Sequence, residues 1–431
     1  MTEEKKVDNE RIIQLLKKEM VVAMGCTEPA ASALAGSKAS ELLEQLPEKL
    51  TVYASRDMVK NAMGVGIPNC DERGILAAVC LGVFSQNPVK DLSILSVVTE
   101  EQQAKAIELA KKSCLKLADK VPPVYVRVVA EAGGHTAVVT VSMEHDHFSE
   151  LVKDGEVLKR EESAVQDSAQ SDQVMTEMSL EDILTFATTV DKKEIAFVLE
   201  SAKINRELAL YSLKEGYGLQ VAQIALEGLP EEPTNLNEAM TMAAAMAAAA
   251  SDARMSGCPR PVVINSGSGN QGITCTVPAL VLAEYLGSSE DKLLEALCIS
   301  ELVGLLITQR KDRLSALCGA FTASMGAGCG MVHLLGGGKK EMDFVIRSMV
   351  SNLSGIVCDG AKTSCALKIY SSVQAAALAT RMAFNGRAPG KESGIVGDDA
   401  MECIDYLMEL SHNGMVTTDK VILSIMLGKE N

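Results

Sequence analysis

Five of the twelve cysteines fall in glycine-rich or capped breaks rather than on apolar faces: Cys26 in MGCTEP, Cys318 in LCGA, Cys329 in GAGCGM, and Cys358 and Cys365 in CDGAKTSC. A thiolate beside glycine admits a bulky inorganic group, and soft sulfur donors are what iron-sulfur clusters select, usually four to a cluster. A cluster with three protein thiolates leaves one iron open to substrate. The chain has no C-x-x-C pair, so a zinc ribbon, a ferredoxin spacing and a thioredoxin motif do not fit. The competing reading is plain core packing, because a free cysteine behaves as a small hydrophobe.

A second constellation is Ser266, Gly267, Ser268, Gly269, Asn270 and Gln271, followed by Gly272. It contains a literal G-x-G-x-x-G, and PVVIN before it reads as a short strand. A dinucleotide fold needs a helix opening directly at the third glycine inside a βαβ unit. Here ITCTVP intervenes and the surroundings read as helices, so that fold is not expected. The loop is dense in backbone and side-chain donors, which suits holding a small carboxylate. The alternative is a polar turn between helices.

The elements that must position these groups fall into two textures. Residues 10–24 carry apolar side chains at helical spacing and stop at Gly25, which leaves Cys26 just past a helix end. From about 49 to 158, TVYAS alternates like a strand, VYVRVVAEA and HTAVVTVSM flank Gly133-Gly134 as a hairpin, and helices are expected near 72–84 and 100–118. The polar stretch REESAVQDSAQSDQ marks a linker at 159–178. Ser179 to Asp182 then reads as a helix cap, and helical periodicity dominates to Leu427, broken at 256–258, 265–272, 326–330, 336–338, 355–360 and 386–397. The expected fold class is α+β. A helical segment, 1–48, packs on the C-terminal domain, an α+β domain spans 49–158, and an all-α domain spans 179–431.

Composition narrows the functions. With 41 Lys and Arg against 57 Asp and Glu among 431 residues, the net charge is -16, which argues against a nucleic-acid partner. Aromatics are only 3% and Trp is absent, so base stacking has little to work with. The run from Ala239 to Ala250 is a dozen residues, short of the roughly 20 that span a bilayer. No membrane association is expected, and the charged N-terminus without a secretory core points to the cytoplasm. Ala- and Met-rich helices favour association, so a homodimer is the expected assembly.

Seven ordered motifs carry a resemblance: GCTEP at 25–29, VKNAMGVGIPN at 59–69, GGHT at 133–136, SGSGNQG at 266–272, LCGA at 317–320, GAGCGM at 326–331 and CDGAKTSCALK at 358–368. Together they closely resemble the bacterial and archaeal L-cysteine desulfidase family, which is related through its C-terminal half to the iron-sulfur L-serine dehydratase alpha chain. The resemblance implies a [4Fe-4S] enzyme that splits L-cysteine to pyruvate, ammonia and hydrogen sulfide without pyridoxal phosphate (PLP). It places the three cluster ligands at Cys26, Cys318 and Cys358, with Cys329 and Cys365 in reserve.

For that chemistry the candidates for the base are Lys362, His333 and His135, since a desolvated lysine or a histidine can exchange protons near neutrality. The 266–271 loop is the candidate substrate clamp, with Lys60 and Asn61 reaching in from the α+β domain and Glu28 orienting the substrate ammonium. Lys362 could equally be a surface ion-pair residue, His333 a hydrogen-bonded core histidine, and Glu28 an acid of a first helical turn that opens with Pro29. Two other functions compete: an L-serine dehydratase using the same iron on a hydroxyl, and a non-catalytic cluster or thiol sensor. The segment CDGAKTSC, in place of the CDP-containing segment typical of the dehydratases, favours cysteine.

Overall fold

The computed structural model describes residues 9–68, 70–85, 91–161, 175, 178–311 and 315–428. Helix α1 (Asn9–Glu19) buries Ile12, Ile13, Leu15 and Leu16 along one stripe. It stops five residues short of the expected end. The β-branched pair Val21-Val22 favours extended backbone, and Val22–Met24 forms strand β1, paired antiparallel with Pro261–Val263.

The chain then builds the α+β half from α2 (Thr27–Leu43), β2 (Lys49–Ala54), α3 (Arg56–Ala62), β3 (Gly66–Ile67), β4 (Cys70–Arg73), α4 (Gly74–Val83) and α5 (Glu100–Lys111). Strands β5 (Cys114–Leu117), β6 (Tyr125–Ala132), β7 (His135–Ser142), β8 (Phe148–Lys153) and β9 (Glu156–Arg160) follow. One six-stranded sheet runs β5-β2-β6-β7-β8-β9, with β5 parallel to β2 and every other pairing antiparallel. The Gly133-Gly134 turn has both residues at positive φ, as a tight hairpin between twisted strands requires. The helix expected over 100–118 ends at Lys111, and its tail becomes β5.

Helix α2 lies across β6 and β7, and α4 packs on α2. Their crossing depends on two glycines. A Cβ on Gly36 would sit 2.1 Å from the Val79 carbonyl oxygen, and one on Gly82 would sit 2.0 Å from that of Ala33. The segment 1–48, expected on the C-terminal domain, therefore divides: α1 and β1 join the helical core, whereas α2 joins the sheet. Of the linker expected at 159–178, residues 162–174, 176 and 177 lie outside the described residues.

The helical half comprises α6 (Leu180–Thr189), α7 (Ala196–Glu215), α8 (Val221–Leu226), α9 (Leu236–Met255), strand β10 (Pro261–Val263), α10 (Gly269–Leu286), α11 (Glu290–Arg310), α12 (Gly319–Leu334), α13 (Lys339–Leu353), α14 (Cys365–Phe384), α15 (Ala400–Glu409) and α16 (Val416–Leu427). Ser179 and Asp182 form the expected reciprocal cap of α6. Helix α12 is the central rod, buried from Ala320 to Leu334 and packed against α10, α11, α13 and α14. The 326–330 glycines, expected to break the chain, lie inside it. A Cβ on Gly326 would stand 2.3 Å from the Ser300 carbonyl oxygen, so glycine here serves close helix approach rather than a turn. No helix among the described residues is long and apolar enough to cross a membrane.

Candidate active site

Cys26 and Cys318 occupy equivalent positions. Each is the extended N-cap residue of a helix, Cys26 of α2 and Cys318 of α12, where unsatisfied backbone N–H groups and the helix dipole favour a thiolate. Cys318 is tied to the 355–360 turn by hydrogen bonds from its amide to the Ile356 carbonyl at 3.1 Å and from the Cys358 amide to the Ala316 carbonyl at 2.6 Å. Burial pushes the Cys318 thiol up to about 11, with neighbouring Cys358 and Cys365 adding to the rise and Lys368 opposing it. Cys26 joins this group through a small apolar cluster with Val65 and Met255, against which Ala361 and Cys365 pack. Four thiols from three segments of the chain thus converge.

Cys329 does not belong with them. It lies eleven residues into α12, roughly 16 Å along the axis from Cys318, wholly buried with its thiol pushed up by burial and by Asp343. It is a core thiol, a correction that follows from the glycines around it being helical. Among the described residues no three His, Cys, Asp or Glu side chains close around a single metal ion. Thiolates on different corners of a polynuclear cluster stand farther apart than the ligands of one ion.

Glu28 knits the first turn of α2 to the α+β half. One carboxylate oxygen accepts from the Cys26 thiol at 2.8 Å and from the Thr27 hydroxyl at 3.2 Å, and the other accepts from the Asn61 amide at 3.0 Å. Burial raises its pKa, but His145, the Cys26 hydrogen bond and Arg254 outweigh this and hold it below the usual carboxylate range. With both oxygens engaged, Glu28 is a structural tie in this state rather than an open seat for an ammonium group.

Lys60 is buried between the Asp57 and Asp419 carboxylates. Burial opposes its charge, yet Cys358 and the two aspartates hold its pKa above the ordinary lysine value. Lys362 lies in the Cys358 loop, where its ammonium reaches the Asp359 carboxylate at 2.5 Å and the carbonyls of Asp359 and Gly360 at 3.0 and 3.1 Å. Asp359 also accepts from Lys368; burial alone would raise its pKa, and the two lysines bring it down to about 2.

The other candidates for the base lie elsewhere. His333 ends α12 and bonds Glu295 at 2.8 Å and Lys292 at 2.9 Å, a group remote from the thiol-bearing loops. His135 begins β7, exposed and paired with Asp154 at 2.9 Å. Neither is brought to the thiols.

The 266–272 loop does reach the site. The Thr27 hydroxyl donates to the Gly267 carbonyl at 3.1 Å, and the buried Arg254 donates to the Gly25 carbonyl at 3.0 Å. Gly269 leaves room for the Arg254 guanidinium, which a Cβ would meet at 2.3 Å. Ser266 holds a positive φ of 50° and a buried hydroxyl with no protein partner among the described residues. Ser268 caps α10, which opens at Gly269 rather than beyond ITCTVP. A strand, a loop and a helix are therefore present, but β10 pairs only with β1, antiparallel, and no parallel βαβ unit surrounds them among the described residues.

Sequence reasoning missed four residues here: His145, Arg254, Asn265 and Glu301. Arg254 had a usable signal, being the one cation in the last turn of an alanine- and methionine-rich helix that is buried along that turn. His145 lies in the β7–β8 turn, and a Cβ on Gly267 would stand 3.6 Å from its ring.

The sequence model of the serine dehydratase alpha chain matches residues 89–424. Among relatives, a UPF0597 protein of Oleidesulfovibrio alaskensis is 40% identical over 423 residues, covering 97% of this chain and 98% of its own. A UPF0597 protein of Parabacteroides distasonis is 38% identical over 425 residues, with 97% and 98% covered, and one of Aeromonas hydrophila subsp. hydrophila is 39% identical over 422 residues, with 97% and 96% covered. The matched span includes the glycine-lined loop, the N-cap cysteine of α12 and the Cys358 turn, and the chain belongs to the serine dehydratase alpha chain family.

Proposed function

We propose that the protein is a carbon-sulfur lyase, an L-cysteine desulfidase that eliminates hydrogen sulfide from L-cysteine and yields pyruvate and ammonia without PLP. The observation that carries this reading is the convergence of Cys26, Cys318, Cys358 and Cys365 beside the 266–272 loop. The donor set suits a [4Fe-4S] cluster: soft sulfur only, three of the thiols at helix N-termini, and glycines near Cys26, Cys318 and Cys358. Cys26, Cys318 and Cys358 would hold it, with Cys365 the alternative third ligand. When bound, the cluster supplies a Lewis-acidic iron that stabilises a departing thiolate.

The chain's own residues do the rest. The Ser266 hydroxyl and the N-terminus of α10 take the substrate carboxylate, because a buried hydroxyl without a partner beside a helix N-terminus suits an anion. Arg254, Thr27 and Asn61 hold the loops that meet there. Lys362 is the candidate to take the α-proton, for which its ammonium must first give up a proton to solvent and its contact with Asp359. Released aminoacrylate hydrolyses in water. All twelve cysteines are free thiols, which suits a reducing, cytoplasmic setting.

The family match favours a second reading, an L-serine dehydratase with the same site. Anaerobic protein is given L-cysteine and L-serine separately while sulfide and pyruvate are followed. Sulfide with pyruvate from cysteine supports the first reading, pyruvate from serine alone replaces it with the second, and a loaded cluster with no turnover removes both.

A further inference from the structure

Glu301 projects from α11 into a wholly buried polar chain that the reading above leaves unused. Its side chain is 0% exposed, and its carboxylate accepts from the Asn265 side-chain amide. The same amide also reaches the Glu301 backbone carbonyl at 3.3 Å. One residue thus takes both hydrogens of the Asn265 amide nitrogen. The Asn265 carbonyl is left to accept from the Gln271 amide at 2.6 Å. That turns the Gln271 side-chain carbonyl outward, where it accepts from Thr308 at 3.0 Å and lies 3.8 Å from the position of a Cβ on Gly319, the residue after Cys318.

Each amide in this chain has one donor end and one acceptor end, so fixing the first fixes the rest. The Glu301 backbone carbonyl, which can only accept, and the side-chain oxygen turned to Asn265 together determine that a carbonyl, not an NH2 group, is presented beside Cys318. A carbonyl with a second lone pair beside the loop proposed to seat the carboxylate is complementary to a primary ammonium group. The second oxygen of Glu301 has no partner among the described residues, so the hydrogen bonding of this carboxyl serves Asn265 alone.

We infer that Glu301 is a positioning residue that orients Asn265 and Gln271 so that the Gln271 side-chain carbonyl receives the substrate's α-ammonium group. This rests on the elimination reading for the identity of the substrate class, an α-amino acid. It assigns the ammonium to Gln271 rather than to Glu28, whose carboxylate is held by the Asn61 amide and the Thr27 hydroxyl whether or not Cys26 donates to it.

The test is calorimetry on the anaerobic holoenzyme with L-alanine, which has no leaving group and stays intact, and with propionate, which lacks the amine. Wild type binds L-alanine more tightly than propionate. Glu301→Leu weakens L-alanine about tenfold, the scale of one buried hydrogen bond left unmade, and leaves propionate within twofold. Glu301→Gln, which keeps an acceptor toward Asn265, binds both as wild type does. Should Glu301→Leu fail to fold, Glu301→Asp, which retracts the acceptor by one methylene, replaces it with the same expectation. The inference is overturned if wild type binds propionate as well as L-alanine or binds neither. It is also overturned if both ligands weaken together, if the Leu variant is unaffected, or if Gln is as damaging as Leu. Absent turnover of cysteine and serine beside Glu301-dependent L-alanine binding removes the elimination reading alone.

Discussion

The thiol of Cys26 donates to the carboxylate of Glu28 across 2.8 Å, within the first turn of one helix. A thiolate bound to iron has no proton to donate, so binding of a cluster by Cys26 releases one Glu28 oxygen from this contact. Anaerobic iron and sulfide analysis reads the ligand set. Cys26→Ser, Cys318→Ala and Cys358→Ala each lose most of the iron, whereas Cys365→Ala retains it. Iron lost in Cys365→Ala and kept in Cys26→Ser would move the third ligand to the turn of α14.

Ser266 tests the carboxylate seat. Ser266→Ala removes a buried hydroxyl that no protein group uses, so the folded state loses little, while the substrate loses one hydrogen bond. KM for L-cysteine rises about tenfold, and kcat changes less than threefold on the same order-of-magnitude scale. A fall in kcat with unchanged KM would place the hydroxyl in the chemical step instead.

Glu301 gives a stability signature. Burial raises its pKa to about 8 in the folded protein, with the Asn265 hydrogen bond opposing, so the folded chain keeps a proton that the unfolded chain gives up near pH 4.5. The folded state binds more protons between those values, and stability falls as pH rises from about 4.5 to 8 and levels off above. Cys275 from α10 and Cys298 from its own helix are the titratable groups beside it, both held protonated by burial through this range. Chemical denaturation across pH 5 to 9 should show this slope in wild type and a flatter one in Glu301→Gln.

The glycines of α12 are predicted to be intolerant. Gly326→Ala forces a methyl group against the Ser300 carbonyl of α11, backbone against backbone, and should lower stability by about 3 kcal/mol with a Tm loss of several degrees. A calorimetric scan equal to wild type would show that α11 and α12 can part without cost.

Much of this was legible from residue types. The Gly133-Gly134 turn demanded positive φ, the alternation at 51–55 demanded a strand, and the Ser179 cap marked the start of α6. The GAGCG run was misread because the same absence of a side chain serves both to break a helix and to let two helices touch. Only the partner decides, and the partner is Ser300 on α11, distant in the chain. Glu301 stayed hidden for the opposite reason. A lone acid in a helix reads as solvated surface, and only the packed neighbours make it buried.

The union of Cys26 and Cys358 has a meaning in time. A ribosome releases Cys26 first and Cys358 about 330 residues later, which at roughly 5–20 residues per second is tens of seconds. The sheet that Cys26's helix lies on is complete long before α14 exists, so the first thiol waits on a finished domain for the others. The proposed centre can therefore be completed only once the Cys358 turn and α14 are made, and until then its thiol set is incomplete.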